Sequence, residues 1–101
     1  MKCQIIISSI AAKDLQESFE WYENLSAGLG SRFVEFVDKV LSVLEFYPES
    51  FPLKKDPFRE ASIKRFPYLI VYEYSAINQT VYVLHVFNSR QLPKKKYRKI
   101  R

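Results

Sequence analysis

Two segments with helical apolar spacing precede three segments rich in β-branched and aromatic residues, and this order restricts the folds available to the chain. Between Ala11 and about Leu25, apolar side chains recur at helical spacing and charged side chains fill most other positions. The apolar positions are Leu15, Phe19, Tyr22 and Leu25. The pattern predicts an amphipathic helix, with Ser8 or Ser9 as its N-cap and Gly28 as its C-terminal stop.

A second helix is predicted from about Gly30 to Tyr47, where a broader apolar stripe ends before Pro48. The stripe consists of Phe33, Phe36, Val37, Val40, Leu41, Leu44 and Tyr47. Residues 48–58 contain three prolines among turn-prone and basic residues, so this segment is predicted to be a loop. The two helices therefore form a hairpin that leads into the second half of the chain.

Strands are predicted on both sides of the helix hairpin. Gln4–Ser8 suits a first strand, and Ala61–Phe66, Tyr68–Tyr74 and Thr80–Phe87 suit three more. Residues 75–80 connect the last two strands as a hairpin loop, and alternation places a group of four side chains on one face of the sheet: Tyr68, Ile70, Tyr72 and Tyr74. The order β-α-α-β-β-β predicts an α+β fold, an antiparallel sheet with the helix hairpin packed on one face.

The length and composition predict one domain spanning residues 1–101, with a basic C-terminal tail at 91–101. With 101 residues, 48% of them hydrophobic, the chain is long enough for one modest core. The apolar run near the N-terminus is too short to span a membrane, and the single Cys3 forms no internal disulfide, so a cytoplasmic protein is predicted. One cysteine and one histidine do not complete a zinc site, and no cofactor is expected.

Charge is distributed unevenly along the sequence. Residues 1–50 carry a net charge of −4 and residues 51–101 a net charge of +9. From Lys94 onward the sequence KKKYRKIR contains six basic residues and no acidic one. Such a run is typical of a surface that binds nucleic acid or an acidic protein segment, and equally of a solvated tail that only aids solubility.

No standard catalytic constellation is present. His85 lies in an apolar strand segment, where a packing role is the expected one. Gly28 and Gly30 do not make a phosphate-binding loop. The remaining candidates are basic and phenolic groups on either side of the strand hairpin: Lys54, Lys55, Arg59, Lys64 and Arg65 before it, and Arg90, Lys94, Lys95, Lys96, Tyr97 and Arg98 after it. If the chain turns at Pro93, both sets converge on one surface.

The order of several short motifs resembles the RelE/ParE superfamily of type II toxin–antitoxin toxins, over nearly the whole chain. These motifs are Asp-Leu and Trp-Tyr in the first helix, Gly-x-Gly-x-x-Phe at 28–33, the proline-rich loop, Arg-Phe-Pro-Tyr at 65–68 and a last strand followed by Arg90. The family fold implied by this resemblance agrees with the β-α-α-β-β-β order. The resemblance also implies a plasmid-stabilising or growth-inhibiting toxin that a cognate antitoxin neutralises.

Two activities occur among the relatives. RelE-like toxins cut messenger RNA on the ribosome, whereas ParE-like toxins bind DNA gyrase without a known catalytic step. RelE-like ribonucleases carry two lysines and an arginine at positions that correspond here to Glu60, Ser62 and Leu69. Arg90 matches a further catalytic arginine, and Tyr97 lies one residue from the catalytic tyrosine.

The three lost positive charges favour a ParE-like, non-enzymatic toxin, because one electrostatic contact to a transition state is worth about 10²–10³-fold in rate. A ribonuclease rescued by Lys64, Arg65 or the tail remains the alternative, as does an inactive relative. A free-standing nucleic-acid-binding module is disfavoured, since the aromatic residues fit a sheet core better than a stacking platform.

The predicted partners are an antitoxin and either DNA gyrase or the ribosome with its messenger RNA. The residues predicted to contact the target are Lys64, Arg65, Arg90, Lys94, Lys95, Lys96 and Arg98, with Arg90 and Tyr97 catalytic only in a ribonuclease. An acidic amphipathic antitoxin segment is predicted to cover the basic half of the chain. Trp21 falls off the main stripe of its helix and is either an anchor for that segment or packed at the edge of the helix pair.

Overall fold

The computed structural model describes residues 2–89 and contains two helices and five strands. In chain order they are β1 (Gln4–Ile7), α1 (Ser9–Leu25), α2 (Leu29–Phe46), β2 (Leu53–Lys55), β3 (Phe58–Ser62), β4 (Tyr68–Ser75) and β5 (Thr80–Asn88). The helices pack on one sheet, whose strand order is β1-β5-β4-β3-β2. The predicted α+β class and the helix hairpin are confirmed.

The sheet is mixed, whereas a purely antiparallel sheet was expected. The pairs β2–β3, β3–β4 and β4–β5 are antiparallel, but β1 pairs with β5 in parallel, with Gln4 opposite Thr80 and Ile7 opposite Val83. Short turns force neighbouring strands to run in opposite directions. Strand β1 is separated from the others by the helix hairpin, so no tight turn sets its direction.

Ser8 lies between β1 and α1 and caps the start of α1. Its backbone N–H donates to the Val83 carbonyl at 2.9 Å, and its hydroxyl donates to the Leu84 carbonyl at 3.0 Å. The same hydroxyl oxygen accepts from the Ala11 N–H at 3.0 Å, as an N-cap residue does. Of the two N-cap residues predicted, Ser8 is therefore the one used.

The turn between the helices depends on two glycines. Helix α1 ends at Leu25, and Gly28 instead caps the start of α2, with φ at +89°. A Cβ at Gly30 would lie 2.6 Å from the Phe19 carbonyl oxygen, so only glycine permits this approach of the helices. The Glu23 carboxylate accepts from the N–H groups of Gly28 and Gly30 at 2.8 and 2.9 Å.

The core lies between α2 and one face of the sheet. Helix α2 buries Gly30, Phe33, Val37, Val40 and Leu44, and the sheet contributes Ala61, Ile70, Tyr72, Val81, Val83 and Val86. Tyr68 and Tyr74 pack against this cluster, which confirms the face predicted for β4. Val71 of β4 pairs with His85 of β5, but the next residue, Tyr72, pairs with Val83. Leu84 is therefore an extra residue in β5 and forms a β-bulge.

The segment from residue 48 to 67 differs most from its prediction. Residues 53–55 form β2 where a loop was expected, because the chain reverses in the turn at residues 56–57 and pairs with β3. Strand β3 runs from Phe58 to Ser62 instead of Ala61–Phe66. The difference at its end arises because Ile63–Tyr68 forms a turn, in which the Ile63 N–H donates to the Tyr68 carbonyl at 3.0 Å.

Candidate target and partner surfaces

The sheet face turned away from the core carries the positions that the resemblance linked to RNA cleavage. We call this the outer face; strand alternation and the register place on it Phe58, Glu60, Ser62, Leu69, Val71, Glu73, Tyr82, His85 and Phe87. Arg59 pairs with Tyr72 and so belongs to the opposite side. Within residues 2–89, the outer face of β3, β4 and β5 therefore holds no lysine or arginine.

Glu60 makes this face still less suited to a phosphate. Glu60 is buried, at 7% exposure, and it pairs with Val71 of β4. A carboxylate repels the negative charge that develops on a phosphate during cleavage, where catalysis requires positive groups or donors. The described part of the outer face thus lacks the electrostatics of a phosphoryl-transfer site.

The predicted target-binding residues fall into two groups in the structure. Lys64 and Arg65 lie exposed in the turn between β3 and β4, where Arg65 adopts a φ of +72°. Arg90 and Tyr97 lie outside the described residues, as do Lys94, Lys95, Lys96 and Arg98. The convergence of the two groups on one surface stays a prediction.

Arg59 has a structural role that its sequence context did not indicate. Its guanidinium donates to the Phe51 carbonyl at 2.6 Å and to the Glu49 carbonyl at 3.3 Å. It also forms an ion pair with the Glu49 carboxylate at 3.8 Å. These contacts hold the α2–β2 loop against β3, so Arg59 is engaged within the fold.

The hydroxyl of Tyr72, the buried tyrosine of β4, stays protonated at neutral pH. Burial raises the pKa of Tyr72 to about 12, and the nearby positive charge of Arg59 offsets part of that effect. Its hydroxyl donates to the Pro48 carbonyl at 2.8 Å. Tyr72 therefore fastens the end of α2 to the sheet.

His85 and Asp14 connect α1 to the part of β5 that lies beyond its pairing with β1. The Nδ1 atom of His85 is hydrogen-bonded to Oδ2 of Asp14, and the same carboxylate oxygen accepts from the Val86 N–H at 3.0 Å. The His85 ring also packs edge-on against Phe87. The packing role predicted for His85 is confirmed, while its partner Asp14, 71 residues earlier, was not found from the sequence.

An open apolar groove of about 450 Å³ lies between the two helices and β1. We call it the helix groove; its apolar lining includes Ile7, Leu15, Phe19, Val34, Val37 and Leu41. Val34 is an apolar residue that lies outside the apolar stripe predicted for α2. An apolar residue outside the stripe is the sequence signal that indicates the groove. Trp21, for which packing at the helix-pair edge was one expectation, is instead 62% exposed on α1.

Comparison with solved structures assigns the fold. A chain of the chromosomal ParDE toxin–antitoxin system from P. aeruginosa matches with a TM-score of 0.74 at 14% identity, covering 86% of this chain and 96% of that one. A mutant of the E. coli toxin RelE in the free state matches with a TM-score of 0.68 at 19% identity, over 89% and 86% of the two chains. The toxin–antitoxin complex RelBE2 from Mycobacterium tuberculosis gives 0.60 at 21% identity, over 87% and 99%.

The fold and its surfaces thus define a toxin of the RelE/ParE superfamily. The family model for the ParE toxin of the type II toxin–antitoxin system, parDE, matches residues 5–93, and the chain belongs to this family. No curated protein matches the chain significantly. Between residues 2 and 89, neither helix is long and apolar enough to cross a membrane, and no group of three or more metal-ligating side chains occurs.

Proposed function

We propose that this toxin inhibits growth by binding DNA gyrase and does not cleave RNA. The observation that carries the proposal is the outer face, which within residues 2–89 presents Glu60, Ser62 and Leu69 where a RelE-like ribonuclease has basic groups. Removing one group that stabilises a transition state typically costs about 10²–10³-fold in rate. Three such losses on one face leave too little electrostatic stabilisation for efficient cleavage.

The gyrase-binding residues belong, in this proposal, to the basic half of the chain. Arg90, Lys94, Lys95, Lys96 and Arg98 are the first set, and Lys64 with Arg65 is the second. Support comes from the exposure of Lys64 and Arg65 and from the net charge of residues 51–101. Basic side chains of this kind accelerate and orient association with an acidic surface.

A cognate antitoxin is proposed to neutralise the toxin by laying an amphipathic segment along the helix groove. The groove supports this because its apolar side chains remain open to solvent, as shown by Ile7 at 40% and Val34 at 36% exposure. Amphipathic segments bind such grooves through regularly spaced apolar anchors.

The target is tested by inducing the full chain in bacterial cells and scoring messenger RNA cleavage and gyrase-dependent DNA breaks in the same culture. The proposal predicts DNA breaks with intact messenger RNA. RNA cuts that disappear in an Arg90→Ala variant would refute it and would make the alternative, a ribonuclease, correct.

Neutralisation is tested separately by co-expressing the toxin with the proteins encoded by the adjoining reading frames. Val34→Lys should leave the toxin active but weaken rescue by the antitoxin, since it places a charge in the helix groove. Ile77→Lys is the matched control, because Ile77 is 97% exposed in the β4–β5 turn and does not line the helix groove. Equal rescue of both variants would contradict the docking site.

A further inference from the structure

A second pocket, of about 340 Å³, opens on the other side of α2, beside the turn between β3 and β4. We call it the basic pocket. Its apolar lining consists of Phe36, Val40 and Val43 from α2 together with Phe51 from the loop that follows. Its volume is at the lower end of the roughly 300–1,000 Å³ that is usual for ligand sites. No residue of the helix groove lines it, so the two sites are separate.

Three cationic side chains surround this apolar lining: Lys39 from α2, and Lys64 and Arg65 from the turn. All three are exposed, and none of them forms an ion pair with any residue between 2 and 89. No acidic residue of the described part of the chain lines the pocket. The site therefore has uncompensated positive charge around an apolar centre, which is complementary to an acidic ligand with an apolar anchor.

The arrangement of Phe36 decides between a peptide and a nucleic acid. The Lys39 ammonium lies 4.8 Å from the centre of the Phe36 ring, and the Arg65 guanidinium lies 5.9 Å from it. Both cations are within cation–π range, and Phe66 packs against the same ring at 5.9 Å. A nucleic-acid base needs a free aromatic face on which to stack, and this ring already has two cations and Phe66 within about 6 Å of its centre.

We propose that the basic pocket binds an acidic peptide segment of a partner protein, which inserts one large apolar side chain against Val40, Val43 and Phe51. Carboxylates on either side of that anchor pair with Lys39, Lys64 and Arg65. Identification of the partner as the antitoxin rests on the proposed function, since a segment bound here covers two of the residues proposed to contact gyrase. The peptide chemistry itself does not depend on the cellular target.

The test is an NMR titration of the isotopically labelled full chain with a short synthetic peptide that has one leucine flanked by glutamates and aspartates. Amide shifts are expected at Lys39, Val43, Ser62 and Arg65. The same peptide with serine in place of leucine, and an oligothymidylate of equal charge, should bind more weakly. Stronger binding of the oligonucleotide at these residues would overturn the proposal, and so would equal binding of the serine peptide.

Three variants assign the binding to the pocket. Lys64→Glu combined with Arg65→Glu should weaken the peptide by roughly tenfold, because reversing two exposed charges removes two attractions and adds two repulsions. Val43→Ser, at a residue 41% exposed, should weaken it by about threefold to fivefold. Lys13→Glu on α1 changes the net charge without touching the pocket and should have little effect.

Equal weakening by Lys13→Glu and by the double charge reversal would show nonspecific attraction and refute the site. The proposal and the toxin assignment fail independently. A chain that binds the peptide but does not inhibit growth contradicts the toxin function alone. A chain that poisons gyrase but shows no leucine-dependent shifts contradicts the basic pocket alone.

Discussion

Replacing Asp14 with alanine should destabilise the fold, because the carboxylate of Asp14 joins α1 to β5. The Asp14 side chain is 19% exposed and its partner His85 is 12% exposed, so solvent screens their contact only partly. The variant also leaves the N–H of Val86 without its acceptor at 3.0 Å, and Val86 is 3% exposed. The perturbation therefore removes two interactions that join α1 to β5.

The size of the effect follows from these two losses. A buried N–H without a partner costs about 1–3 kcal/mol, and a hydrogen bond between a carboxylate and a histidine contributes about 1 kcal/mol or more. The better helix propensity of alanine returns roughly 0.5 kcal/mol. The net loss in free energy of unfolding should be about 2–3 kcal/mol. Asp14→Asn should lose about 1 kcal/mol, since its amide oxygen still accepts from Val86.

Urea unfolding followed by circular dichroism measures these differences. With a slope of about 1–3 kcal/mol per molar urea, Asp14→Ala should lower the midpoint by about 1 M. Glu17→Ala on the exposed side of α1 is the control for helix propensity and should change the midpoint little. If Asp14→Ala and Glu17→Ala unfold at the same urea concentration, the proposed connection between α1 and β5 does not stabilise the protein.

Two further predictions concern the helix turn and the buried tyrosine. Gly30→Ala should cost about 1–3 kcal/mol in thermal unfolding, since its Cβ meets the Phe19 carbonyl oxygen at 2.6 Å, whereas Gly28→Ala meets only backbone strain of about 1 kcal/mol. The reverse ranking would contradict the close helix approach. Because the pKa of Tyr72 is raised from 10.0 to about 12, folding favours its protonated form, and this contribution is present below pH 10 and lost as the pH rises towards 12. Between pH 10 and pH 12, the Tyr72→Phe variant should therefore lose less free energy of unfolding than the original chain. Equal losses in the two proteins would show that the ionisation of Tyr72 is not coupled to folding.

Features set by local pattern were predictable from the sequence. The helix hairpin follows from apolar spacing, and the inward face of β4 follows from strict alternation between Tyr68 and Tyr74. The N-cap at Ser8 is also a local signal. Each of these depends on residues close together in the chain, where propensity and periodicity act directly.

Features set by distant contacts were not predictable in the same way. The parallel pairing of β1 with β5 depends on how the helix hairpin returns the chain, and β2 exists only because β3 supplies its partner. The contact of Asp14 with His85 joins residues 71 positions apart, and His85 lies next to the irregular register around Leu84. No periodicity within either element indicates such a pair.

The candidate surfaces were predicted in part. Lys64 and Arg65 were expected to be exposed basic residues, and they are, but Lys39 was not grouped with them because it lies on a different element. The helix groove and the basic pocket both arise from spaces between elements. Such spaces depend on how the elements pack against one another. The pattern of apolar residues along one helix does not predict that packing.

The most direct test of the central claim uses purified full-chain toxin, DNA gyrase and supercoiled plasmid, with a parallel reaction of ribosomes programmed with messenger RNA. A gyrase-binding toxin should cause cleaved plasmid to accumulate only when gyrase is present, and the messenger RNA should stay intact. Messenger RNA cut on the ribosome, with plasmid supercoiling unaffected, would contradict the account and identify this chain as a ribonuclease.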